Sequence, residues 1–183
     1  MPAALLVMDF QAGVVARFSG TQVVATARTA VDAARAHGVP VVFVRVGFRE
    51  GSPEVSARNK SFAAVADRGD MGADAPGTKV VDELAPRNGE TVVVKRRVSA
   101  FTGSDLEVVL RAADVDHLVL TGIATSGVVL STLREAADRD YQLTVLSDAC
   151  LDGDPEVHRL LTEKVFPRQA DVVTVDEWAA GLA

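Results

Sequence analysis

Apolar positions along the chain fall into two rhythms. Residues 3–8 form a short, unbroken apolar run ending at Asp9, and residues 41–46 form another, rich in β-branched side chains. Runs of that length without alternation suit strands buried on both faces. Between them, residues 21–37 place Val24, Ala27, Ala30, Val31 and Ala34 at helical spacing, and Gly38 follows as a stop. Residues 47–88 break the rhythm with glycines, prolines and charges. They predict a long excursion holding one short helix near residues 61–66, and excursions of this kind tend to shape pockets or subunit contacts.

Regularity then returns. The pattern predicts strands over residues 90–94 (ending at Lys95), 117–120 (closed by Thr121 and Gly122), 142–146 (closed by Asp148) and 171–175. It predicts helices over 105–113 with Ser104 as N-cap, over 125–139, and over 155–164 with Asp154 as N-cap and Pro155 first, then a short tail helix packed by Trp178. Strands alternating with helices imply a parallel sheet with right-handed crossovers. The expected fold is therefore α/β: a three-layer, doubly wound, mostly parallel six-stranded sheet with helices on both faces. No repeat or linker divides it, so residues 1–183 read as one domain.

Composition narrows the function. With 183 residues, 48% of them hydrophobic, the chain can bury a substantial core. A formal charge of −6 without a basic cluster argues against nucleic acid and against an anionic membrane surface as partners. No apolar stretch approaches the roughly 20 residues that span a bilayer. The first residues lack a basic region and read as a strand rather than a signal peptide. A lone cysteine, Cys150, forms no intrachain disulfide and fits a reducing cytoplasm.

Sites in open α/β sheets lie beyond the carboxyl ends of the strands. Asp9 follows the first strand and Lys95 the third, and an amine beside a carboxylate sets that carboxylate's proton affinity. The small-residue turn Gly122, Ile123, Ala124, Thr125, Ser126, Gly127 enters a helix, where backbone N–H groups favour developing negative charge. Phe10, Phe48, Phe62 and Phe101 are candidate pocket walls, and Arg45 or Arg58 is a candidate contact for a substrate carboxylate. His37, His117 and His158 have no ligand partners at useful spacing, so no metal is expected. No Gly-rich nucleotide loop follows a strand, so no cofactor is expected.

The segments VMDFQAGV, KRRVSAFTGSDL and TGIATSGVVLSTLREAADRDYQLTVLSDAC together resemble, in order and spacing, the isochorismatase-like cysteine hydrolase family. The resemblance runs from about residue 4 to 175. It implies a small-molecule hydrolase, commonly a homodimer or homotetramer, with a catalytic aspartate at Asp9, a catalytic lysine at Lys95, a non-proline cis peptide at Ile123–Ala124 and an oxyanion-binding turn over Ile123, Ala124, Thr125, Ser126 and Gly127. The family pattern G-[IV]-A-T-x-x-C-V places its nucleophilic cysteine at position 128, which is valine here. Cys150 follows a different strand and reads as a small buried residue. A hydroxyl from Thr125, Ser126 or Ser131 is one substitute nucleophile, though it lacks an activating histidine nearby in sequence. The other route needs none. The family's namesake activity looks like acid-catalysed hydrolysis of a vinyl ether, with the aspartate as proton donor. The alternatives that stand beside an acid-dependent hydrolase are an amide or carbamoyl hydrolase with another nucleophile, and a non-catalytic relative that binds a small ligand or protein partner.

Overall fold

The computed structural model describes residues 2–69 and 71–182. Six strands, β1 (Ala3–Met8), β2 (Val41–Val46), β3 (Thr91–Lys95), β4 (His117–Ile123), β5 (Gln142–Leu151) and β6 (Asp171–Val173), pair in parallel in the order β3-β2-β1-β4-β5-β6. The chain builds outward from β1 to β2 and β3, then returns to pair β4 on the other side of β1. That reversal opens a crevice at the carboxyl ends of β1 and β4, the place where such sheets bind ligands.

Alternation along the strands splits the core into two layers. Leu5, Val7, Phe43 and Val119 pack under Val24, Ala27, Ala30, Val31 and Ala34 of α2 (Thr21–Ala36) and Val175 of α7 (Val175–Ala180). Leu6, Met8, Val44 and Leu120 face the opposite way, toward Leu106 and Leu110 of α4 (Leu106–Ala112) and Leu133 and Ala136 of α5 (Leu130–Ala137). An apolar strand with side chains entering both layers needs no polar face, which is why the runs at β1 and β2 are unbroken.

Four features depart most from the sequence expectation. A helix absent from it, α1 (Ala12–Phe18), follows β1. The helix in the excursion, α3 (Lys60–Arg68), is longer than expected and is capped by Asn59, whose Oδ1 accepts the Phe62 N–H. The segment after β4 begins as a π turn over Thr125–Val129, with Gly127 outside helical φ/ψ, before α5 continues. Finally, β5 runs on past Leu146: after a register irregularity, Cys150 pairs with Gly122 and Leu151 with Ile123. The helix expected over residues 155–164 is present as α6 (Pro155–Leu160) followed by a π turn over Leu161–Val165, with Asp154 capping Glu156 N–H.

The excursion is fastened over the carboxyl ends of β2 and β3. The fully buried Gln11 donates to Val46 O and Thr78 O and accepts from Val46 N–H. Arg96 and Arg49 both reach the Glu54 carboxylate, and Arg97 donates to Glu54 O while lying 5.8 Å from the Phe62 ring centroid. Among the described residues no helix is long and apolar enough to cross a membrane.

Candidate active site

Asp9 closes β1 with φ +60, a left-handed conformation that aspartate tolerates better than most residues. Lys95 ends β3, on the far side of β2. Their side chains meet across that strand, with Lys95 Nζ 2.8 Å from Asp9 Oδ2. Lys95 Nζ also donates to Val98 O at 2.7 Å. Both residues are buried, Asp9 7% and Lys95 2% exposed. Asp9 Oδ1 is enclosed and has no hydrogen-bond partner. Burial pushes the Asp9 carboxyl above its ordinary 3.8, and the charge and hydrogen bond of Lys95 oppose that rise. Oδ1 is thus the oxygen of the carboxyl left without a donor, which is costly in a dry site while the group is ionised.

Both side chains line a cavity of about 260 Å³ at the crevice between β1 and β4. Ile123, Ala124, Gly127 and Val128 form one wall, while Val46 and Phe62 form part of another. The Ile123–Ala124 peptide is cis. Val128 occupies the position that the family pattern gives to cysteine, and it is 2% exposed. Gly122 makes room for it: a Cβ there would lie 2.9 Å from Met8 O and 3.2 Å from Val128 Cγ1.

The polar groups of the turn are engaged elsewhere. Ser126 N–H donates to Asp152 Oδ2 at 2.7 Å and Gly127 N–H to Ala124 O at 3.0 Å, so both donors are engaged within the protein. Thr125 is fully buried behind the cavity wall, with Oγ1 2.8 Å from His158 Nδ1. A histidine 33 residues away in sequence thus reaches Thr125 after all, because α6 packs against this turn. Neither Thr125, Ser126 nor Ser131 lines the cavity. Among its described lining residues there is no hydroxyl, thiol or imidazole. Cys150 is buried near Leu120 O, and burial pushes its thiol up to about 12, which keeps it un-ionised.

Burial also pushes the His158 imidazole below its ordinary 6.5, with Asp152 opposing. The folded state therefore holds His158 neutral where the unfolded chain takes up a proton. Stability contributed here is present above about pH 6.5 and is lost as the pH falls through the lowered folded value. The expected result is that wild type loses melting temperature relative to His158→Gln between pH 7.5 and 5, as read by thermal scans; parallel curves would contradict it.

Of the expected pocket residues, Phe62 alone lines this cavity. Phe10 turns into the α2 layer, and Phe101 packs near Tyr141 with ring centroids 6.0 Å apart in the other layer. Phe48 stacks edge-on against Phe62 and lines a separate groove. Arg45 lies one residue from Val46 on β2, so alternation sends it away, and its guanidinium donates to Ala73 O at 2.7 Å. Arg58 does not reach the cavity either. Side chains that do reach it, beyond those expected, include Val14, Arg17 and Phe18 of α1, Val65 and Arg68 of α3, and Met71 and Val98. The spacing of Val14 and Phe18, one helical turn apart, was the available signal. Among the described residues no group of three His, Cys, Asp or Glu side chains is placed to hold a metal ion.

A family model described as the isochorismatase domain matches residues 3–177. The chain belongs to the isochorismatase family of hydrolases. It is 35% identical to the uncharacterized isochorismatase family protein YwoC of Bacillus subtilis (strain 168), over 96% of this chain and 91% of that one. It is also 35% identical to the ureidoacrylate amidohydrolase RutB of Stutzerimonas stutzeri (strain A1501), over 84% of this chain and 71% of that one. Among solved structures, a cysteine hydrolase from Pseudomonas syringae pv. phaseolicola 1448A superposes with a TM-score of 0.90 at 25% identity, covering 99% of this chain and 92% of that one. The six-stranded parallel sheet is thus the isochorismatase-family fold.

Proposed function

We propose that this isochorismatase-family hydrolase works by acid catalysis from Asp9, with Lys95 as its partner and without a covalent intermediate on cysteine. One observation carries the reading. The cavity holds a buried carboxyl with a raised proton affinity and an amine in contact with it, and no described hydroxyl, thiol or imidazole beside them. A vinyl ether suits such a site. Asp9 transfers its proton to the terminal carbon of the double bond, giving an oxocarbenium ion, while the carboxylate left behind is stabilised by Lys95. Water adds to the cation and returns a proton to Asp9, and the hemiketal collapses to a carbonyl compound and an alcohol. Water is the only co-reactant, and the acid is regenerated.

Amide hydrolysis is the second reading, favoured by the amidohydrolase name of the RutB relative. It asks for a nucleophile at the cavity wall, where Val128 has none. A non-catalytic binding protein has no need of a buried acid and amine held in contact at a concave site.

The test is a panel of small vinyl ethers, amides and esters, assayed with wild type and Val128→Cys. Wild type is expected to hydrolyse vinyl ethers and not amides, and Val128→Cys to gain amide turnover. Amide turnover by wild type, or turnover gained on every substrate only through Val128→Cys, would overturn the acid-catalysed reading.

A further inference from the structure

The cavity carries a charge that the acid chemistry leaves unused. Arg17 stands on the last turn of α1 and lines the cavity alongside Asp9. Among the described residues its guanidinium makes no ion pair and no hydrogen bond. Three other cations at this end of the sheet are engaged. Lys95 is held by Asp9 and Val98 O, Arg45 by Ala73 O, and Arg96 by Glu54.

The position of Arg17 is built rather than incidental. Gly13 lies against the 3-10 turn Pro76–Thr78 so closely that a Cβ would come within 3.2 Å of Gly77 O. Ala12 N–H donates to Lys79 O. These contacts fix α1, and with it Arg17, over the cavity mouth. The walls below are apolar, with Val14, Phe18, Val46, Phe62 and Val65 among them. A volume of about 260 Å³ is below the ~300–1,000 Å³ of drug-sized sites. The chain carries a net −6, yet in this lining Lys95 is matched by Asp9 and Arg17 adds a positive charge at the mouth. A basic spot in a concave wall of an acidic protein concentrates small anions.

We infer that Arg17 anchors a substrate carboxylate, so that the substrate class is a small carboxylate with an apolar body reaching down to Asp9. The guanidinium fork matches a carboxylate in two parallel hydrogen bonds, which sets orientation as well as affinity. The inference rests on this cavity being the active site. It assigns to α1 a specificity role that neither Arg45 nor Arg58 can fill.

Benzoate and its neutral analogue benzamide serve as probes, titrated calorimetrically into wild type, Arg17→Met and Arg17→Lys. Wild type is expected to bind benzoate at least about tenfold more tightly than benzamide, the size expected of hydrogen bonds to a charged group. Arg17→Met is expected to lose that preference with benzamide affinity unchanged, and Arg17→Lys to keep part of it. Equal binding of the two probes by wild type, an unchanged preference in Arg17→Met, or no binding of either probe at millimolar concentration would overturn the anchor. Because binding is read without turnover, the two proposals fail separately. A preference that survives Arg17→Met, with turnover lost in Asp9→Asn, removes the anchor and leaves the acid. Full turnover in Asp9→Asn, with the preference lost in Arg17→Met, removes the acid and leaves the anchor.

Discussion

Replacing Asp9 with asparagine lowers turnover by about 10²–10⁴-fold, the usual contribution of a positioned general acid. The substitution is nearly isosteric. The asparagine carbonyl still accepts from Lys95, so the cavity keeps its shape while losing the proton it delivers. The wild-type rate carries a matching pH signature. The reactive form is the protonated carboxyl, and burial raises its pKa above 3.8. The rate therefore falls as the pH rises through that raised value, and the limb disappears in Asp9→Asn. Steady-state kinetics across pH, with a substrate found in the panel, measure both. A variant turning over at the wild-type rate would show that Asp9 is not the acid.

Lys95→Met has the largest expected effect on stability. Lys95 is 2% exposed and 2.8 Å from Asp9, so its loss leaves a buried carboxyl without its cation. Breaking a buried pair by removing one partner costs about 3–5 kcal/mol. For a domain of this length that is a drop in melting temperature on the order of 10 °C. The pH dependence has a definite sign. Without Lys95 the folded-state pKa of Asp9 rises further, so the folded chain holds a proton that the unfolded chain releases above its ordinary 3.8. The variant's deficit is small in acid and grows as the pH rises through the raised folded value. The double variant Asp9→Asn/Lys95→Met removes both charges and recovers part of the loss, so the two substitutions are non-additive. Urea unfolding of the four proteins at pH 4 and pH 8 completes the cycle. Equal stability of Lys95→Met and wild type at pH 8 would show that the pair contributes nothing to the fold.

Several elements were legible from local pattern alone. β1 and β2 occupy the residues that their apolar runs predict, 3–8 and 41–46. Parallel strands buried on both faces need a continuous apolar run, and nothing else in the chain interferes with that signal. The stripe of α2 was equally plain, because every core-facing position is an alanine or valine at helical spacing. Asp9 and Lys95 stood out for a related reason: each is a charged residue closing an apolar strand, at the sheet edge where α/β sites form.

Other elements depend on partners distant in sequence. α1 has 7 residues and no side-chain cap, which is marginal for a helix by itself. It is held by docking on the Pro76–Thr78 turn and by the Gln11 amide reaching Thr78, 67 residues away. The extension of β5 through Ser147 and Asp148 reads as a turn in sequence, yet it completes the sheet by pairing Cys150 with Gly122. Its hydrogen bonds go to β4, whose position no local pattern reveals.

By itself, the sequence determined the order of the strands and of the helices other than α1, the family, the acid and amine at the ends of β1 and β3, and the valine at position 128. Only the tertiary structure decided that Lys95 reaches Asp9 across β2, that Thr125 lies behind the cavity wall on His158, and that Arg17 rather than Arg45 faces the cavity. The physical reason is common to all three. Side-chain burial and hydrogen bonding within an element follow from spacing along the chain. The direction in which a side chain leaves the end of an element follows from what packs against that end.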